Sequence, residues 1–523
     1  YTNSFLDDEL DVDVSIGAEL TEISSNGLSS NTVGGLTIPL FYNLSGSKDP
    51  AATSNSLSQQ ENKGTFIKGS FAWKDMLYLD SSYRMDWNSK AQENDNRVNT
   101  YGVSASFLLH KVLPKNDIVN FVKIRAGHSE APYFPNSPYQ TAAVYNVNSL
   151  YNGFGRLSVS NTQSNPLLRG GTRIEDEFGT EMFFFNNKVS LDVSYFKRRD
   201  EGIPVNVPLD GSTGYTNTTV NAGKYTSNGV EIALGGDVIR TEDFTFNVGV
   251  NFATLKKFTD FIYDGVTSRD ISTYTSRMKL QERVGEEWGL FYGTGFGRGA
   301  NNEIMFRSRG SGRYSYSLQP NKFLGNLLPD FTGGLTTNFD YKNMSLTLGF
   351  DFQVGGRYYS RTERYMVHSG LDKITAGLND KGNPKRDPVA SGGGVHIVGV
   401  LQTGTDASGN PTTDGTPVDA YVEAADIYGL GNIGNVYENN LHDATYAKLR
   451  TIRFNYRLDK DFVNKFNIKS ASISAFANNV WLITSDMDWV DPSELEKRSG
   501  INWAENGTLP STRSFGLNLK LTF

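Results

Sequence analysis

The sequence predicts an all-β protein, a transmembrane antiparallel β-barrel of about 14 strands with short turns at one end and long loops at the other. Three observations predict it. The last nine residues alternate, with Phe515, Leu517, Leu519, Leu521 and Phe523 on one face and Gly516, Asn518, Lys520 and Thr522 on the other. That is a half-apolar strand, and a barrel is the commonest way to avoid leaving such a strand as an open edge. The connections between alternating segments run short, long, short, long along the whole chain. Finally, 523 residues with 26 Tyr, 32 Phe and 53 Gly contain only 38% hydrophobic residues. A wet-lumened barrel needs apolar side chains only at alternate positions, whereas several soluble cores would need more.

Leu10 to Leu20 opens the series, with Val12, Val14 and Ile16 on one face and Asp11, Asp13 and Glu19 on the other. About forty polar residues rich in Ser, Asn and Gly follow, outside any alternating pattern. Ile67 to Trp73 turns at Lys74-Asp75 into Leu77 to Trp87, where Asp80, Arg84 and Asp86 share the polar face. Tyr101 to Leu109 turns at Pro114 to Asp117 into Val122 to Ala126, with Lys123 and Arg125 facing the other way. After a loop of about 45 residues, Phe178 to Phe184 lies opposite Glu175, Glu177 and Glu181, and turns at Asn186-Asn187 into Val189 to Tyr195. Val230 to Leu234 and Phe244 to Phe252 precede a loop of about 75 residues. Phe331 to Phe339 turns at Tyr341 to Asn343 into Met344 to Phe352. The longest loop, about 90 residues, includes a stretch from Asn379 to Asp419 loaded with Gly, Pro, Asp and Thr. Ile452 to Tyr456, with Arg453 and Arg457 on the polar side, then Ala471 to Ala477 and the terminal strand complete the count. Aromatics recur beside the short turns at Trp73, Phe184, Tyr341 and Tyr456, as an interfacial girdle requires.

Several function classes are disfavoured. Cysteine is absent, so there is no thiol chemistry, and the net charge of -7 carries no basic tract for nucleic acid. The five His are scattered without metal-ligand spacing, and neither a Gly-x-Ser-x-Gly elbow nor a Walker loop is present. Gly293, Gly295, Gly297 and Gly299 precede no helical pattern, so a phosphate cradle is not expected. Asp486, Asp488 and Asp491 lack the turn glycine of an EF-hand calcium loop and read as solvated loop residues. No cofactor is expected. The mean hydropathy of -0.42 does not argue against a membrane, because barrel strands hide from hydropathy scans.

The residues also carry a resemblance. Asn165–Leu168, Phe184–Tyr195, Ser227–Glu231, Val284–Glu286 and Leu324–Gly334 occur in that order, followed by Tyr446–Arg450, Asn478–Trp481, Asp491–Pro492, Pro510 and Arg513–Leu519. In this series the chain resembles the C-terminal half of SusC/RagA-type TonB-dependent outer-membrane transporters of Bacteroidetes. The resemblance implies a barrel of 22 strands, of which about 14 are here. It implies a plug, a TonB box and an N-terminal accessory domain that this chain does not contain. It further implies a SusD-like surface lipoprotein as lid, TonB-ExbB-ExbD as energy source through the missing N-terminal part, and glycan or oligopeptide import without catalysis. Phe515 and Phe523 are then the terminal aromatics read by the barrel-assembly machinery. A complete 14-stranded passive channel and a structural or secretion-associated barrel of the same family are the alternatives.

Two groups of candidate site residues follow. Asp80, Arg84, Asp86, Lys123, Arg125, Glu177, Arg453 and Arg457 fall on the polar parity and are expected to line the lumen, where plug contact by ion pairs is the plainer role. The loop aromatics Trp288, Tyr292, Tyr358, Tyr359, Trp489 and Trp503 are candidates for stacking on sugar rings or peptide side chains, with packing inside folded loops as the alternative. The lipid bilayer is the partner of the outward apolar faces.

Overall fold

The computed structural model describes residues 1–7, 9–114, 116–151, 154–498 and 500–523. Fourteen long strands form an antiparallel meander: β1 (Leu10–Leu36), β2 (Ser47–Trp73), β3 (Leu77–Asn88), β4 (Arg97–Leu108), β5 (Val119–Tyr133), β6 (Gly171–Phe184) and β7 (Val189–Pro208), then β8 (Asn217–Arg240), β9 (Phe244–Ala253), β10 (Phe331–Tyr341), β11 (Met344–Val354), β12 (Tyr446–Arg457), β13 (Ser470–Ser485) and β14 (Ser514–Thr522). Each pairs with the next in chain order. Every strand expected from the alternation is present. Three short strands join the same sheet, Thr2–Phe5, Thr162–Gln163 and Lys256–Phe261, none of which the alternation had marked. Among the described residues β14 pairs only with β13, and β1 carries only Thr2–Phe5 on its other edge.

Register aligns the apolar parity of all these strands. One row runs Trp73, Leu77, Phe107, Ile124, Thr180, Val193, Ile232 and Phe252. These faces are uncovered: Ile16 and Leu517 are each 81% exposed. An apolar belt of this size on an otherwise hydrophilic chain is the surface that lipid covers. Toward the long loops it gives way to a polar row in which His128 Nδ1 lies 2.7 Å from Asp176 Oδ1. The short-turn end is tight because Lys74, Asp75, Asn186, Asn187 and Lys342 all take positive φ, matching the twist of the flanking strands. Lys115, in the turn expected at Pro114 to Asp117, lies outside the described residues.

Four expectations about loops are corrected. The forty polar residues after Leu20 are mostly strand: β1 and β2 continue as a two-stranded arm, with Ser24 opposite Gln59 and Ser30 opposite Thr53, and only residues 37–46 turn. Both faces of this arm meet water, so no period-two pattern marks it, and cross-strand hydrogen bonding holds it instead. The 45-residue loop shrinks to residues 134–170 because β5 runs to Tyr133 and β6 starts at Gly171. The link near Asp459 holds a helical turn, Lys460–Asn464, capped by the Asp459 carboxylate. The loops at 254–330 and 355–445 are folded, and the stretch from Asn379 to Asp419 contains a strand, Val395–Leu401, paired with Pro417–Val422.

Most of the buried apolar core sits in these loops, and a further cluster, Ile203, Val205, Val207 and Tyr225 with Ile262, lies on the loop-side ends of β7 and β8. Met278, Leu280, Phe291, Tyr359, Tyr437 and Trp503 form one cluster, and Phe306, Ile397, Val418, Val422 and Ile427 another. The loops share sheets. Met305–Ser308 from one loop lies parallel to Val395–Leu401 of the next, and Arg357–Ser360 lies parallel to Ile501–Glu505 of the last. Residues 254–330, 355–445 and 486–513 therefore fold together as one canopy over the strands β9 to β14.

Candidate lumenal wall and loop canopy

The polar parity of the strands builds a charged wall. Asp80 accepts a hydrogen bond from Ser70 Oγ at 2.6 Å. Arg84 donates through Nε to Asp86 at 2.7 Å and through Nη2 to Glu19 at 3.0 Å, tying β3 to β1. Lys123 on β5 and Glu181 on β6 approach to 3.8 Å. Arg125 reaches furthest. It crosses β6 and forks onto Asp192 of β7 at 2.8 and 2.9 Å, with Nε 3.3 Å from Glu177 Oε1. Gly179 makes the crossing possible, because a Cβ there would lie 2.8 Å from the guanidinium carbon. Arg453 and Arg457 are exposed, and neither makes an ion pair among the described residues.

A depression of about 530 Å³ lies on this wall, lined among others by Arg125, Glu177, Asp192, Glu231, Asp351 and Tyr446. A second, of about 410 Å³, is lined by Lys68, Asp80, Ser104, Glu175 and Glu177. Glu177 is common to both. The expected lumen residues on β3, β5 and β6 are thus gathered on one surface. Sequence reading did not single out Asp192 as the partner of Arg125, nor Asp351 and Arg450 as partners of each other. The signal available was a glycine on the polar parity one strand away from an arginine.

Where the wall meets the canopy, residues far apart in sequence converge. Arg450 grips Asp351 at 2.8 and 2.6 Å, and Tyr446 donates to the same carboxylate at 2.9 Å. Lys448, only 2% exposed, pairs with Asp491 and lies 3.5 Å from Glu494. Asp491 also caps the turn Pro492–Glu494 by accepting from Ser493 N at 3.0 Å. Burial pushes the Asp491 carboxyl up, but Lys448 and the Ser493 bonds outweigh it and hold the group below the usual carboxylate range. Asn479 donates to Glu494 and to the Thr512 carbonyl, each at 3.2 Å. Tyr446–Arg450, Asn478–Trp481 and Asp491–Pro492 therefore form one strut that fixes the last long loop to β12 and β13.

The loop aromatics divide unequally. Tyr358, Tyr359 and Trp503 are fully buried, and Trp503 Nε1 donates to Ser272 Oγ at 3.1 Å. Tyr292 is buried under Arg283, whose guanidinium lies 3.4 Å from the ring centre. Trp288 is half-buried, with Lys257 Nζ 4.5 Å from its ring centre. These five hold the canopy together, which corrects the expectation of stacking platforms at the three fully buried positions. Trp489 alone of the six is exposed, at 44%. Gly293 and Gly295 lie within the strand Leu290–Phe296, and Gly297 and Gly299 follow it, so half of the glycine series is part of a sheet. Asp486 and Asp491 are engaged by protein donors, and among the described residues no cluster of His, Asp and Glu could hold a metal ion.

An apolar outer face, a charged inner wall, tight turns at one end and a folded canopy at the other define an outer-membrane β-barrel. Residues 1–377 match the family model described as TonB dependent receptor-like, beta-barrel, and the chain belongs to that family. It is similar to two Formosa agariphila proteins. TonB-dependent receptor P3 is 21% identical over 516 residues, covering 92% of this chain and 48% of the relative. TonB-dependent receptor P26 is 23% identical over 540 residues, covering 97% of this chain and 50% of the relative. The chain thus spans about half the length of the curated relatives it matches. Among solved structures, the RagAB peptide transporter aligns over 100% of this chain and 54% of its own, with a TM-score of 0.72 and 16% identity. The RagAB peptide importer in its 'closed-closed' state gives a TM-score of 0.75, with the same identity and coverage. This likeness bears on the fold.

Proposed function

We propose that this chain is the wall of an active importer of glycans or oligopeptides across the outer membrane, of the SusC type. The observation that carries the reading is the charged lumenal surface. Its ion pairs and depressions face inward, where a plug segment outside this chain would seat against Arg84, Arg125 and Glu177. A surface of paired charges in water binds a polar protein segment reversibly, because each pair exposed to water is worth only about 0–1 kcal/mol. That suits a plug which must shift during each transport cycle. TonB-ExbB-ExbD would act on that segment, and a SusD-like surface lipoprotein would close over the canopy from outside. The chemistry is transport, with no bond made or broken, and the exposure of Trp489 supports it as the canopy aromatic that would meet a passing ring.

The test is uptake by cells carrying the whole protein. Labelled oligopeptides and oligosaccharides are offered separately, with and without the TonB box. Accumulation of one class that stops when the box is deleted supports the reading. Equal uptake without the box would point to the passive channel instead, and an intact polypeptide mass near 57.8 kDa would point the same way.

A further inference from the structure

We propose that His442 is a proton-operated latch that holds the last long loop against the helix at the start of the preceding one. His442 lies in the short strand Leu441–Asp443, opposite Tyr358 of Arg357–Ser360. Its Nε2 is 2.6 Å from Glu363 Oε2, and its Nδ1 is 3.0 Å from Asp486 Oδ2. Glu363 sits in the first turn of helix α1 (Arg361–Ser369), which follows directly on that strand. Asp486 is the first residue after β13. One imidazole therefore joins both ends of the loop at 355–445 to the start of the loop at 486–513.

The geometry requires the imidazolium. Both carboxylates accept only, so each ring nitrogen has to donate, and a neutral ring can donate from one nitrogen. Among the described residues His442 is the sole cationic partner of Glu363 and of Asp486. The other donors at this corner are neutral: Asn440 Nδ2 to Glu363 at 2.9 Å and Asp443 N to Asp486 at 3.2 Å. The remaining charged neighbours are the carboxylates of Asp443 and Glu505. Glu505 is satisfied by Ser360 and Thr362, and Arg364 on α1 is turned to the Gly434 carbonyl. Burial alone would push His442 down, but the two carboxylates outweigh it and raise it above the usual histidine range.

The sign follows from the raised value. The latch contributes fully below about pH 6.5, the unfolded reference, and is lost as pH rises through the higher folded value. Loss of one donor leaves either the part-buried Glu363 carboxylate or the more open Asp486 carboxylate facing a lone pair, so the contact between α1 and the loop at 486–513 opens while the strut at Lys448 still anchors that loop. The latch thus couples two canopy loops to external alkalinity.

The experiment is hydrogen exchange on the full-length protein in detergent, read at peptides covering 361–369 and 486–490, the segment before the Lys448 strut, and corrected for intrinsic rate. The wild type is expected to lose protection at both peptides together between pH 6 and pH 10, roughly tenfold per pKa unit of stabilisation lost. In His442→Gln both peptides should be unprotected already at pH 6 and show no pH dependence. In His442→Arg, whose charge is permanent, protection should persist to pH 10. Retarded migration on unheated gels verifies that each variant keeps its barrel. The same pH profile in His442→Gln as in wild type, or loss of protection in His442→Arg at the wild-type pH, would overturn the proposal.

Discussion

Arg125 and Gly179 lie face to face on adjacent strands, and the absence of a side chain at Gly179 lets the arginine cross to Asp192. The relationship is steric first and electrostatic second. Replacing Gly179 with Val should lift the guanidinium off β6 and break the fork. Replacing Arg125 with Leu should have the same effect by leaving Glu177 and Asp192 facing each other across the strand. Because the side chains are part-exposed, each change should cost about 1 kcal/mol, the upper end for an ion pair open to water. The midpoint of urea unfolding in lipid vesicles measures it, and additive effects in the double variant would argue against a shared interaction.

Lys448 and Asp491 make a buried pair, so removing one partner strands the other. Lys448→Met should cost about 3–5 kcal/mol locally, and Lys448→Met with Asp491→Asn should recover much of that loss. Limited proteolysis at residues 486–513 reports it. Asp491 is held below its unfolded value, so its contribution is complete above about pH 3.9 and is lost as pH falls through the lower folded value. Protease sensitivity of this loop should therefore rise in acid below that point, and not at neutral pH.

Trp503 and Trp489 should separate stability from transport. Trp503→Ala empties the centre of the canopy cluster and should cost about 3–5 kcal/mol there. Cleavage within 254–330 and 355–445 should accelerate while the barrel stays heat-modifiable. Trp489→Ala should change stability by no more than about 0.5 kcal/mol, as an exposed site does. If Trp489 meets the transported molecule, uptake falls in that variant with the canopy intact.

Leu517 and Asn518 are neighbours on β14 with opposite faces. Leu517→Arg places a charge in the lipid-facing row and should cost about 2–4 kcal/mol near the bilayer midplane. Asn518→Arg should be tolerated, since that side meets the lumen. Equal costs for the two variants would reverse the assignment of faces.

The sequence by itself determined the fourteen long strands, their order and their two faces. Period-two alternation is a local property, and in a membrane barrel the solvent on each face is fixed by that parity alone. Ile16 faces outward and Arg84 inward for reasons legible within a few residues of each. The arm from Ser24 to Ser58 was not legible, because with water on both faces nothing selects a period.

Tertiary structure alone decided the partners. Arg125 finds Asp192, 67 residues away, only because β5, β6 and β7 lie in register. His442 meets Glu363 and Asp486 only because three loop segments return to one corner of the canopy. The loop aromatics show the same limit. Trp503 and Trp489 read alike in sequence, yet one is enclosed and the other exposed. Burial depends on chain segments hundreds of residues distant, such as Ser272 under Trp503, and no local pattern encodes that distance.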